Sequence, residues 1–261
     1  MLKAFIKSAF RTCGFDLRRR SSVPLDNPFN NPFDAQKILL GDMTITEPVI
    51  LDIGAHRGET AEKYRTRFPE AVIYCFEPSP DSAEALKKKF CDDPQTTVIS
   101  SAVADRPGQR TLHINEIDQT NSLLHEATSS RRYLPKQAFT KAMIQTEVTS
   151  VDEFIRTFPL ERIDILKMDI QGGELMALKG AAETLSEKQI PVIYAEIMFI
   201  PHYENQPLLN EIWDFLGQFG YSLFDLYGLH RAMNGQLRYG DALFVNQDLR
   251  RRVIDGYPQE P

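Results

Sequence analysis

The chain has 261 residues, 42% of them hydrophobic, and a formal net charge of -6. This is enough for one domain with a substantial core, and the negative charge argues against a nucleic-acid backbone as the main partner. The three cysteines have no paired spacing, which argues against a disulfide framework or a cysteine zinc site and is typical of a reducing compartment. No apolar run approaches the roughly 20 residues of a membrane span, so we expect a cytoplasmic protein.

The first 48 residues are expected to form a separate N-terminal region. Residues 1–20 are basic and amphipathic, and charges interrupt the apolar positions, which disfavours a signal peptide. Two interpretations remain open for them: a helix on the anionic inner face of a membrane, or a helix packed on the domain or on a second subunit of a homodimer. Residues 21–48 contain four prolines and predict a linker, with a short helix at 35–40 that covers an edge of the sheet.

A glycine-containing turn follows the first apolar run of the chain. Residues 49–58 give a buried strand that ends near Asp52, then a turn with Gly54, Ala55 and Gly58, and then the start of a helix. Glycines allow a bound molecule to approach the backbone, and the helix start offers unpaired N–H groups. An acid before the first glycine repels phosphate but suits a cation, such as the amino group of S-adenosylmethionine. The alternative is a structural turn capped by Asp52.

A second carboxylate follows the next strand, about twenty residues further on. The strand at 72–76 ends at Glu77 and Pro78, where a carboxylate can accept hydrogen bonds from both ribose hydroxyls. Together, Asp52 and Glu77 favour a nucleoside cofactor without a pyrophosphate. An NAD-dependent oxidoreductase is disfavoured because the middle glycine of its fingerprint is absent and Asp52 stands where a pyrophosphate would approach.

Strands and helices continue to alternate along the chain. A helix over 59–68 and another from 80 to about 90, with Ser79 as its N-cap, precede a third strand at 97–101. The end of this strand is expected beside the adenine, which makes Ser101 and Ala102 candidate contacts. The arms 108–115 and 146–149 predict a hairpin, and the segment 120–145 between them predicts a lid or binding loop. This loop offers four candidate acceptor contacts: His125, Arg131, Arg132 and Tyr133.

Two further strands place ionisable residues at the same edge of the sheet. Lys167 and Asp169 share one face of a strand at 163–170, and Glu196 lies near the end of the strand at 191–197. A lysine and an aspartate inside an apolar strand are costly unless they are paired or functional, so a structural ion pair is the alternative. Five residues are predicted to face the acceptor: Gln171, Glu174, His125, His202 and Tyr203.

These motifs resemble those of the FkbM family of S-adenosylmethionine-dependent methyltransferases over residues 49–246. The matching stretches are Asp52-Ile53-Gly54-Ala55…Gly58, Phe76-Glu77-Pro78, Ser101-Ala102-Val103, Lys167–Glu174 with Leu178 and Gly180, Tyr194-Ala195-Glu196 with Tyr203, and Asp241–Val245. One departure is Gln171, because the family usually has glutamate there. The resemblance implies a Rossmann-like class I methyltransferase fold: an α/β domain with a mostly parallel seven-stranded sheet, an antiparallel edge strand and a small β-hairpin insertion. Residues 247–261 are expected to be a polar tail.

The resemblance also implies a reaction. The family methylates hydroxyl groups of sugars and polyketide-type natural products, so we expect an O-methyltransferase acting on such a compound or on a glycolipid. A hydroxyl must lose its proton, and the first candidate base is Asp169, with Lys167 orienting it. Glu196, His125 and His202 are the alternative bases, and no catalytic metal is expected because Asp169 and Glu196 lack an obvious third ligand. The alternative from another class is a non-catalytic module that binds the adenosine cofactor.

Overall fold

The computed structural model describes residues 27–128, 139–158, 160–187 and 189–256. The strands are β1 Val49–Ile53, β2 Val72–Phe76, β3 Thr96–Ile99, β4 Ala102–Val103, β5 Gly108–Asn115, β6 Thr140–Thr149, β7 Ile165–Met168, β8 Val192–Met198, β9 Ser222–Arg231 and β10 Leu237–Val245. The α-helices are α1 Pro32–Asp42, α2 Glu59–Arg67, α3 Pro80–Lys89, α4 Val151–Thr157, α5 Glu174–Lys179, α6 Ala182–Ser186, α7 Leu209–Gly217 and α8 Gln247–Leu249.

Seven strands form one sheet in the order β3-β2-β1-β7-β8-β10-β9. The pairs from β3 to β8 are parallel, whereas β10 runs antiparallel to both β8 and β9. The predicted mostly parallel sheet with an antiparallel strand near one edge is therefore confirmed. The strand order reverses between β1 and β7, and such a switch point is where open α/β sheets bind ligands.

A second, three-stranded sheet has the order β4-β6-β5, and it confirms the predicted hairpin insertion. The antiparallel pairing of β5 with β6 extends from Gly108 opposite Val148 to Asn115 opposite Thr140. The predicted loop 120–145 is therefore wrong at its C-terminal end, because residues from 140 onward are strand. Arg131, Arg132 and Tyr133 lie outside the described residues, so their predicted contacts stay predictions.

The helix predicted at 35–40 is confirmed and longer, but it covers a face of the sheet rather than an edge. Phe33 of α1 packs edge-on against Tyr64 of α2 and Tyr194 of β8, with ring centroids 5.1 and 6.0 Å apart. Leu39 is fully buried in the same cluster, which includes Ile165 of β7. The amphipathic segment at 1–20 lies outside the described residues. In the described part of the chain, no helix is long and apolar enough to span a bilayer.

Helix starts position the turns beside the site. Ser150 Oγ accepts a hydrogen bond from the Glu153 N–H at 3.2 Å and so caps the N-terminus of α4. Asp152, in the first turn of α4, caps the neighbouring helix α6, because its carboxylate accepts the N–H groups of Glu183 and Thr184. Ser79 stands at the N-cap position of α3, but its side chain makes no capping bond.

Candidate active site

A cleft of about 540 Å³ opens at the switch point of the large sheet. Its floor consists of the carboxyl ends of β1, β2, β7 and β8, and its walls come from residues 118–123 and from Arg238 and Tyr239 of β10. The predicted site residues that line it are Gly54, Ala55, Glu77, Pro78, Ser101, Ala102, Lys167, Asp169, Gln171, Glu196 and His202. Those that do not line it are Asp52, Gly58, Glu174, His125 and Tyr203.

The turn after β1 requires glycine for steric reasons. Gly54 has a φ of 77°, and a Cβ there would collide with the backbone carbonyl of Asp169. The Gly54 and Ala55 N–H groups donate to the Phe76 carbonyl at 3.0 Å each, which joins this turn to the end of β2. Gly58 also has a positive φ, of 86°, but it faces the side chains of Leu86 and Phe90 rather than the cleft. Its role is therefore packing of α2 against α3.

Glu77 is held as a fixed carboxylate at the edge of the cleft. Its Oε2 accepts from the His56 N–H and its Oε1 from the Ser79 N–H, both at 2.9 Å. Burial raises the pKa of Glu77, and these two hydrogen bonds oppose that effect. Because each oxygen has a further lone pair, the carboxylate can still accept two neighbouring hydroxyl groups.

Asp52 is fully buried beneath the cleft and pairs with Lys167. The Lys167 Nζ lies 2.8 Å from Asp52 Oδ1 and donates to the Gly54 carbonyl at 3.0 Å. Burial alone would lower the pKa of Lys167, but the Asp52 carboxylate reverses this effect and raises it. The structure therefore does not place Asp52 where a cofactor amino group would contact it. It places the pair where it supports the glycine turn.

Carboxyl groups cluster at the centre of the cleft floor. Glu196 and Asp241 are opposite each other on β8 and β10, and Asp169 lies close to both. Gln171 Nε2 donates to Asp169 Oδ1 at 3.0 Å and to Glu196 Oε2 at 2.9 Å. Burial and then the charge of Asp169 raise the pKa of Glu196 far above its ordinary range. Glu196 therefore favours its neutral form, so this cluster can hold a proton.

Gln171 itself is positioned by a buried tyrosine. The Tyr203 hydroxyl lies 3.0 Å from Gln171 Oε1 and 2.9 Å from the Thr120 carbonyl. Tyr203 thus does not line the cleft itself, but its hydroxyl group contacts Gln171, which does. The predicted orientation of Asp169 by Lys167 is replaced by this hydrogen-bonded arrangement, because the lysine ammonium contacts Asp52 and Gly54.

Of the other predicted acceptor contacts, His202 lines the cleft, whereas Glu174 lies behind its surface. Glu174 is buried, and its Oε1 accepts the N–H groups of Ile170 and Gly172 at 2.9 and 3.3 Å, which shapes the turn into α5. Burial raises the pKa of Glu174 to about 7. His202 faces the cleft, but burial and the nearby Arg238 lower its pKa to about 4, so it is a weak base at neutral pH.

Several residues at the cleft were not predicted from the sequence. Asp118 approaches His56 Nε2 at 3.1 Å and Arg57 at 2.7 Å, which joins residues 118–120 to the glycine turn. Burial raises the pKa of Asp241 to about 6. An aspartate inside the apolar run at 241–245 was a detectable signal for this residue. Tyr239 had no comparable signal, because it lies in a mixed stretch of a late strand.

The sheet order, the antiparallel β10 and the cleft at the switch point define a class I methyltransferase fold. The chain belongs to the FkbM methyltransferase family, since the family model described as the methyltransferase FkbM domain matches residues 52–223. Its enzyme class is therefore that of S-adenosylmethionine-dependent methyltransferases.

Individual relatives agree with this assignment. The chain is 29% identical over 178 residues to the 2-O-methyltransferase NoeI of Sinorhizobium fredii, covering 66% of this chain and 72% of NoeI. It is 29% identical over 163 residues to the methyltransferase sdnD of Sordaria araneosa, covering 53% of this chain and 62% of that protein. A crystal structure of methyltransferase FkbM from Methylobacillus flagellatus KT has a TM-score of 0.50 at 17% identity, covering 77% of this chain and 44% of that one.

Proposed function

We propose that this enzyme transfers a methyl group from S-adenosylmethionine to a hydroxyl group of a sugar, a glycolipid or a polyketide-type compound. The observation that supports it is the arrangement of two carboxylate sites in one cleft. Glu77 stands at one end as a fixed acceptor, and Asp169 with Glu196 stands on the central floor, bridged by Gln171. The relative NoeI, a 2-O-methyltransferase, supports an oxygen acceptor.

The residues present fit the cofactor. The Glu77 carboxylate suits the ribose diol, and Gly54 and Ala55 line the cleft beside it. Ser101 and Ala102 line the same end, where the adenine would lie. When it is bound, the sulfonium of S-adenosylmethionine supplies an activated methyl group.

The chain's own task is then alignment and proton removal. Asp169 would accept the proton of the acceptor hydroxyl as its oxygen bonds to the methyl carbon and the sulfur–methyl bond breaks, with S-adenosylhomocysteine as the leaving group. Gln171 fixes the orientation of Asp169 through its 3.0 Å hydrogen bond. Burial and the charge of Asp169 raise the pKa of Glu196, which disfavours a second negative charge beside the base. His202 is less suited to this role, because its lowered pKa makes it a poorer proton acceptor.

A methyl-transfer screen with labelled S-adenosylmethionine over sugar, glycolipid and polyketide hydroxyl acceptors tests the proposal. We expect Asp169→Asn to lower kcat by about 100-fold or more, as for loss of a general base, and to leave cofactor affinity by calorimetry within a few-fold. Asp214→Asn, on the exposed surface of α7, is the matched control and should leave both unchanged. Cofactor binding without transfer to any acceptor would instead favour the non-catalytic module.

A further inference from the structure

Three metal-ligating side chains converge outside the cleft, where β5 of the small sheet meets the segment between β5 and β6. They are His113 of β5, His125 and Glu126, and a ligand atom from each lies within 4.8 Å of those of the other two. The two imidazole rings are nearly perpendicular, with centroids 5.2 Å apart. Two imidazoles and one carboxylate are a donor set that zinc and similar divalent ions bind.

Thr140, the first residue of β6, contacts two of the three side chains. The Thr140 Oγ1 lies 2.7 Å from Glu126 Oε2 and 3.3 Å from His113 Nδ1, so one hydroxyl positions two of the three ligands.

The site is also accessible and supported by backbone pairing. The His125 side chain is 54% exposed, so an ion can enter from solvent. Glu126 forms a β-bridge with Tyr203, and the His125 carbonyl accepts the Glu204 N–H at 2.8 Å. The two ligands on this segment are therefore joined to the stretch that carries His202 and Tyr203 beside the cleft.

We propose that His113, His125 and Glu126 bind one Zn²⁺ ion, with a fourth position left to water. The ion links β5 to the segment 125–127, which in turn pairs with residues 202–204. It thereby stabilises Tyr203, whose hydroxyl group contacts Gln171 in the cleft. This proposal concerns a site outside the cleft and does not depend on the proposed methyl acceptor.

Calorimetry of the chelator-treated full chain with Zn²⁺ alone tests the site. We expect one equivalent to bind, and His125→Ala to weaken binding by at least about 10-fold, since even outer-shell changes commonly cost about 10–100-fold. Glu126→Gln should weaken it similarly. His230→Ala, an exposed histidine on β9, is the matched control and should bind as the wild type does.

A second readout separates a specific site from surface binding. Zn²⁺ should raise the Tm of the wild type and of His230→Ala but not that of His125→Ala, because binding to the folded state stabilises it. Co²⁺ in place of Zn²⁺ should give the absorption of a four-coordinate ion in the wild type and in His230→Ala, but not in His125→Ala. No stoichiometric binding, or equal binding by His125→Ala and His230→Ala, would overturn the proposal and leave a cluster held by hydrogen bonds alone.

Discussion

Asp52 and Lys167 illustrate how much a single residue's role depends on its partner. The sequence places an acid at the end of β1, but its side chain faces a lysine from a strand 115 residues later, at 2.8 Å. Both side chains are almost inaccessible to solvent, with 0% and 6% exposed. A buried pair of this kind contributes little net stability, whereas removing one partner leaves an uncompensated charge.

This pairing predicts a non-additive stability result. Lys167→Met should lower the free energy of unfolding by about 3–5 kcal/mol, because Asp52 then stays buried without its cation. The double variant Asp52→Leu/Lys167→Met should recover much of that loss. Urea unfolding of the wild type, the two single variants and the double variant measures the coupling energy. If Asp52 served a cofactor instead, Asp52→Leu alone would leave the stability of the cofactor-free chain unchanged.

The position of a predicted residue at the cleft followed from the sequence where local sequence determined the geometry. Glu77 follows directly from the end of β2, and the backbone N–H groups that hold it come from the glycine turn and from its own turn. Gln171 as the bridge between Asp169 and Glu196 was out of reach, because it depends on a φ of 54° at Gln171 and on the contact with Tyr203. Neither feature has a local signature.

At the level of elements, the turn after β1 has little steric freedom. The backbone of Gly54 approaches the Asp169 carbonyl so closely that no side chain fits, and its φ of 77° disfavours any other residue. The turn is therefore matched to the end of β7.

Gly54→Ala should therefore push the turn after β1 away from Asp169 at the end of β7. We expect it to lower the Tm and to reduce the affinity for S-adenosylmethionine at least about 10-fold. Gly41→Ala in α1 is the matched control: a Cβ there meets nothing within 4 Å, and alanine in a helix is typically about 0.5–1 kcal/mol more favourable than glycine. Thermal unfolding and calorimetry measure both quantities. A Gly54→Ala variant that matches the wild type in both would contradict the steric argument.

Element prediction failed mainly in the small sheet. The start of β6 at Thr140 was missed because its first residues are polar or exposed and lack the apolar alternation of a half-buried strand, whereas 146–149 has it. Pairing with β5 across a ten-residue strand determines this extension. Pairing between distant strands can override the propensity of the local sequence, and a short stretch of sequence read by itself does not reveal the partner strand.

At the scale of the whole molecule, the regular alternation of strands and helices predicted an α/β sheet, and the family resemblance implied its antiparallel strand. The same regularity predicted which strand ends meet, because carboxyl ends of parallel strands share an edge. The walls of the cleft were not predictable in this way. Residues 118–123 and the start of β10 arrive there through tertiary packing, and the charge of Asp118 pairs across to His56 and Arg57 only in the folded chain.

We infer that one cleft holds an adenosine cofactor at Glu77 and presents its reacting end to Asp169. A crystal structure with bound S-adenosylhomocysteine would test this inference. We expect both ribose hydroxyls within hydrogen-bond distance of the Glu77 carboxylate, the sulfur facing the open space above Asp169 and Gln171, and Asp52 still paired with Lys167. A ligand bound elsewhere, or one whose ribose makes no contact with Glu77, would contradict it.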